Sequence, residues 1–120
     1  MVSEAQIEAV TACLRRAAPD ATTIMFGSHA RGDARADSDL DILVVEPLVR
    51  SRHAEIVRLA DAVDHLDVPT DIIVVSAAVY EEWSEEPGTV IHEAAKGGRV
   101  LHAPAQAYRE PAGVPVDIVE

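Results

Sequence analysis

Gly27-Ser28-His29-Ala30-Arg31-Gly32-Asp33-Ala34-Arg35-Ala36-Asp37-Ser38-Asp39-Leu40-Asp41 is the stretch on which the fold turns. Just before it, Thr22-Thr23-Ile24-Met25-Phe26 is β-branched or bulky and reads as a short buried strand. Just after it, the chain runs Ile42-Leu43-Val44-Val45-Glu46, so residues 39–46 read as a second strand that Pro47 closes. Gly27 and Ser28 turn the chain between the two, and Ser28 is placed to cap a brief helix through Arg31. Residues 32–38 carry loop chemistry. Asp39 and Asp41 are two apart at the head of the second strand, so both side chains leave one face while Leu40 and Ile42 point into the core.

Working outward, Ser3 and Gln6 form a capping-box pattern for a first helix to about Ala17, with Ile7, Val10, Leu14 and Ala17 on one face. Pro19 and Asp20 end it. Downstream, a helix is expected from about Ser51 to Leu66, with Ile56, Leu59, Ala60 and Val63 facing the core. Asp71–Val75 reads as a third strand, and Ser76 starts a helix containing Tyr80 and Trp83. Pro87-Gly88 precedes a last helix over 89–96, which Gly97-Gly98 stops before a short strand at 99–102. Helices alternating with three or four short strands predict an α/β domain with one small sheet, not a full doubly wound fold. The domain is expected over residues 1–102. Three prolines interrupt residues 103–120, which read as a tail, flexible or with Val114–Val119 as an edge strand.

The paired aspartates suit a two-metal site, whose ions lie about 3.5–4 Å apart. Asp71 heads the next strand and offers a third carboxylate from alongside. Two unit charges about 6 Å apart repel by roughly 3 kcal/mol at an effective dielectric of ~20, and an oxygen-seeking cation such as Mg²⁺ turns that repulsion into binding. Gly27 lets a phosphate approach the backbone, and the strand-to-helix turn aims N–H groups and the Ser28 hydroxyl at an anion. Arg31, one helical turn on, has two readings: a bidentate phosphate contact or a surface ion pair.

Composition narrows the partners. The 120 residues are 48% hydrophobic but only 3% aromatic, and 21 acids against 10 bases give a net charge of −11. That charge opposes a sequence-independent grip on DNA or RNA and disfavours anionic membranes. One cysteine, Cys13, allows no internal disulfide and no cysteine-based zinc site, and is expected as a small buried apolar residue. No signal peptide opens the chain and no apolar run reaches the ~20 residues of a membrane span, so a cytoplasmic protein is expected.

Gly-Ser, ten residues, then Asp-x-Asp resembles the signature of the DNA polymerase β-like nucleotidyltransferase superfamily. The fuller Gly-Ser-x-Ala-Arg-Gly-Asp followed by Ser-Asp-Leu-Asp is similar to its minimal nucleotidyltransferase (MNT) branch, and the resemblance covers about residues 5–102. It implies a mixed sheet flanked by helices and a site in which two Mg²⁺ ions assist attack on the α-phosphate of ATP as pyrophosphate leaves. Carried over, Gly27 and Ser28 hold the triphosphate, with Arg31 and Ser38 completing the nucleotide-binding set. Asp39 and Asp41 bind the metals. Asp71 joins them and orients or deprotonates the attacking hydroxyl. Asp67 competes for that last role, but Ile72–Val75 follows Asp71 as a strand should, whereas Asp67 precedes the turn-prone Pro69.

Members of this branch resemble antitoxins paired with HEPN ribonuclease toxins, some of which receive AMP on a tyrosine hydroxyl. The resemblance therefore implies an antitoxin enzyme in a hetero-oligomer with a HEPN toxin, with ATP as substrate and without direct nucleic-acid or membrane binding. A chain of 120 residues leaves no room for a separate acceptor domain, which fits an acceptor arriving on another protein. Two alternatives stand beside this: an idle antitoxin that neutralises by binding, and a transferase for a small molecule such as an aminoglycoside. Outside the motif, His29 occupies a variable position and is expected to be exposed and inert. His53, His65, His92 and His102 show no metal-ligand spacing. Tyr80 and Trp83 read as core or, failing that, as a contact surface; Glu81, Glu82, Glu85 and Glu86 read as a solvated helical face.

Overall fold

The computed structural model describes residues 1–104. The first helix, α1 (Glu4–Ala17), opens on a capping box: the Ser3 hydroxyl accepts from Gln6 N–H at 3.1 Å and the Gln6 side chain accepts from Ser3 N–H at 2.8 Å. β1 (Thr22–Phe26) leads into the single turn α2 (Ser28–Arg31), and β2 (Leu40–Glu46) returns antiparallel beside β1. α3 (Arg52–Asp64) then crosses to β3 (Thr70–Ser76), which pairs parallel with β2. α4 (Ala77–Trp83) and α5 (Val90–Gly97) follow, and β4 (Arg99–His102) pairs antiparallel with the free side of β1. The result is one mixed four-stranded sheet in the order β3-β2-β1-β4, flanked by helices.

The alternation along β2 divides the core. Leu40, Ile42 and Val44 join Ile7, Val10 and Leu14 of α1 and Leu59 and Val63 of α3 on one face. Leu43 and Val45 join Ile24, Phe26, Val75 and Ala94 on the other, where Tyr80 and Ile91 of α4 and α5 close the layer. A strand buried on both faces reads as an unbroken apolar run, which is why residues 42–45 do not alternate in polarity. Cys13 is buried in the first layer, as expected of a small apolar side chain.

Several boundaries differ from the sequence reading; β3, expected over 71–75, runs Thr70–Ser76, and α5, expected over 89–96, runs Val90–Gly97. Asp39 lies before β2 and is not its first residue: the pairing with β3 begins at Leu40, and Leu40 N–H donates to the Pro69 carbonyl at 2.8 Å. α3 is shorter than residues 51–66, because Ser51 serves as its cap, accepting from Ala54 N–H, and the helix ends at Asp64. Ser28 does not cap α2. Gly27 does, at φ 76°, and α2 closes on Gly32, whose N–H donates to the Ser28 carbonyl at 2.9 Å. Among the described residues no helix is long and apolar enough to cross a membrane. The tail expected from residue 103 lies outside the described residues from 105 onward.

Candidate active site

The β1–α2 turn and the head of β2 meet because β1 and β2 pair with Phe26 opposite Asp41. Gly27 therefore sits directly beside the Asp41 carboxylate. A Cβ built on Gly27 would stand 2.3 Å from Asp41 Oδ2 and 3.1 Å from its Cγ, so the missing side chain is the space the carboxylate occupies. The positive φ of Gly27 strains any other residue there as well. Since Gly27 is the cap, the Ser28 hydroxyl is not committed to capping. The N–H groups of Ser28 and His29 begin the helix and have no carbonyl behind them within it.

β3 brings the third carboxylate. Its parallel register sets Asp71 opposite Asp41, and both lie on the sheet face that carries Leu43, Val45, Ile73 and Val75. Asp67 is placed elsewhere, in the turn before β3, with a left-handed φ of 57°. Burial pushes the Asp41 carboxyl above its ordinary value, and the charges of Asp71, Asp39 and Glu93 push the same way; His29 opposes them. Among the described residues no lysine or arginine offsets the repulsion at Asp41.

Arg31 forms ion pairs in this structure. One guanidinium nitrogen lies 2.9 Å from Glu93 Oε2 on α5 and Nε lies 3.4 Å from Asp33, so the side chain bridges α2 to α5 across the mouth of the site. Ser38 is engaged in its own loop, its hydroxyl accepting from Arg35 N–H at 2.8 Å. Glu93 was not legible in advance: it is far from the motif in sequence, and only the packing of α5 beside β1 brings it near Asp41. His29 also departs from expectation. Its Nδ1 donates to the Asp39 main-chain carbonyl at 3.1 Å, and Nε2 is buried.

As the side chains stand, no three His, Cys, Asp or Glu among the described residues converge on a point that would hold a metal ion. The chemistry nonetheless fits: Asp39, Asp41 and Asp71 are hard oxygen donors whose repulsion at Asp41 is opposed, among the described residues, by His29 alone. A groove of about 610 Å³ lies elsewhere, lined by Ile73, Val75, Val79, Trp83, Val90 and Ile91 but by none of the three aspartates. Trp83 is 42% exposed there, whereas Tyr80 packs into the second core layer. Tyr80 thus takes the core role expected of it, and Trp83 stands partly exposed.

The sequence model of a nucleotidyltransferase domain matches residues 7–102. No curated protein matches the chain. Among solved structures, a toxin–antitoxin with AMP-PNP is 21% identical with a TM-score of 0.55, over 84% of this chain and 75% of that one. Tri-AMPylated Shewanella oneidensis HEPN toxin in complex with MNT antitoxin is 18% identical at 0.54, over 86% and 74%. The toxin–antitoxin MntA–HpeT, as a double aspartate-to-glutamate mutant, is 19% identical at 0.54, over 82% and 73%. At these identities the likeness is one of fold.

Proposed function

Because the chain belongs to the nucleotidyltransferase domain family, we propose that it is the MNT antitoxin of a HEPN/MNT pair and transfers AMP from ATP to a hydroxyl, a tyrosine's, of its HEPN toxin. The observation that carries the reading is the apposition of Gly27 to Asp41 with Asp71 in register beside it. The likenesses to a toxin–antitoxin with AMP-PNP and to an MNT antitoxin complexed with a tri-AMPylated HEPN toxin support both nucleotide and acceptor. The transferase domain is assigned to residues 1–102, and the pair works in the cytoplasm.

In this reading the N–H groups of Ser28 and His29 and the Ser28 hydroxyl donate to the triphosphate, which Gly27 lets approach the backbone. Arg31 exchanges Glu93 for a phosphate oxygen, and Ser38 holds the loop that delivers Asp39. Asp39 and Asp41 hold Mg²⁺, with Asp71 completing the set. When bound, the two ions supply Lewis-acid stabilisation of the charge that develops on the transferring phosphoryl group. An Asp71 carboxylate oxygen accepts the proton of the acceptor hydroxyl. The deprotonated oxygen of the acceptor hydroxyl then bonds to the α-phosphorus as the bond from that phosphorus to the α,β-bridging oxygen breaks and pyrophosphate departs.

The test is transfer of label from [α-³²P]ATP to the HEPN partner with Mg²⁺ present. Wild-type protein labels the partner, and Asp39→Ala with Asp41→Ala reduces labelling by at least ~10³-fold, the scale expected when groups stabilising the transition state are removed. Undiminished labelling by the double variant refutes the assignment of the aspartates. No labelling by the wild type, with protection of cells intact in the variant, makes the protein a binding antitoxin.

A further inference from the structure

The α2 turn touches both aspartates of the pair, at different points. Gly27 yields its side-chain space to the Asp41 carboxylate, and His29, two residues on, holds the main-chain carbonyl of Asp39 at 3.1 Å. A carbonyl oxygen only accepts, so Nδ1 carries the hydrogen of this bond. The other ring nitrogen, Nε2, is buried and has no partner among the described residues. The ring is therefore packed in place, and Asp39 is its single hydrogen-bond anchor. Asp39 itself lies outside the β2 ladder, which begins at Leu40. Without the histidine its carbonyl would have no tie to the turn that cradles phosphate.

We propose that His29 is a positioning residue. Through the Nδ1–H bond it sets where Asp39 stands relative to the Gly27-Ser28 turn, and so holds together the metal-binding and phosphate-binding halves of the site. This rests on the function proposed above, in which Asp39 is a metal ligand. Residues that fix a ligand from behind commonly govern metal affinity as strongly as some ligands do. Asparagine places an amide N–H near the position of Nδ1, whereas glutamine places it near Nε2. The two substitutions therefore separate the bond from the bulk of the ring.

Two measurements on the free full-length protein need no partner and no activity. Nitrogen NMR of the wild type at about pH 8.5, where imidazole is neutral, should show the hydrogen on Nδ1, the tautomer less favoured in free histidine. Mn²⁺ affinity, followed by water-proton relaxation, should fall about tenfold in His29→Ala and His29→Gln. His29→Asn should recover most of that loss. AMP transfer to the HEPN partner should follow the same order, with the KM for ATP held within about twofold. A bare Nδ1 in the wild type overturns the proposal. So does His29→Asn binding as poorly as His29→Ala, or His29→Ala binding as well as wild type. Wild-type protein that binds Mn²⁺ but labels no partner defeats the proposed function and leaves the His29 result standing.

Discussion

The Asp41 carboxyl titrates above the ordinary carboxylate range because burial disfavours its charge and Asp71, Asp39 and Glu93 face it. A raised pKa in the folded state means that folding prefers the protonated form. That preference is fully expressed below the unfolded value, about 4, and is lost as pH rises through the higher folded value. At pH 7 the ionised group therefore weakens the fold. Asp41→Asn should raise the melting temperature at pH 7 by a few degrees while abolishing AMP transfer. Millimolar Mg²⁺ should then stabilise the wild type and leave the variant unmoved. Equal melting temperatures without metal, or equal responses to it, would contradict this account. Asp41, Asp71 and Gly27 were legible because strand ends and a two-residue repeat place them from local pattern alone. Glu93 was not, since nothing near it in the chain marks it as a neighbour of Asp41.

At the scale of elements, β2 carries an acid at each end. Glu46, its last residue, has one buried carboxyl oxygen without a partner among the described residues. Its pKa rises to about 7, first through burial and then through Glu55 on α3. Glu55 is held at about 2, first by the Arg58 guanidinium and then by Glu46. A proton resting on Glu46 and shared toward Glu55 accounts for both directions. Arg58 anchors the pair, donating also to the Ala17 carbonyl at 2.8 Å and so tying α3 to the end of α1.

The two acids bear on stability oppositely. Glu55 contributes above its unfolded value, and that contribution is lost as pH falls toward about 2. Glu46 contributes fully below its unfolded value, and that contribution is lost as pH rises through about 7. Glu46→Gln, which keeps a donor toward Glu55, should raise the melting temperature at pH 8 by a few degrees and flatten its dependence between about pH 5 and 8. Melting curves of variant and wild type that run parallel across that range would remove the shared proton. The elements themselves were readable because their ends carry strong local signals: Ser3 and Gln6 at α1, Ser76 at α4, and Gly97-Gly98 closing α5. The start of β2 was misplaced by one residue because it is decided by the Leu40–Pro69 hydrogen bond, which joins segments far apart in the chain.

Over the whole molecule, the charge of −11 now has two uses. In the proposed function three acids hold metal, where two Mg²⁺ ions would bring +4 against their −3. Most of the other acids among the described residues are exposed, a surface suited to a basic partner. If charge guides the encounter, the association rate with the HEPN toxin should fall roughly tenfold between low salt and 0.5 M. Stopped-flow mixing measures it, and a rate indifferent to salt would exclude electrostatic recognition. The sequence alone determined the succession of helices and strands, the glycine-serine turn and the presence of paired aspartates. Each of these is set by propensities and breaks that act within a few residues. Tertiary structure alone decided the strand order β3-β2-β1-β4, the pairing of Asp41 with Asp71, the Arg31–Glu93 bridge and the hold of His29 on Asp39. Those depend on burying both faces of one sheet at once, a condition that no single stretch of the chain encodes.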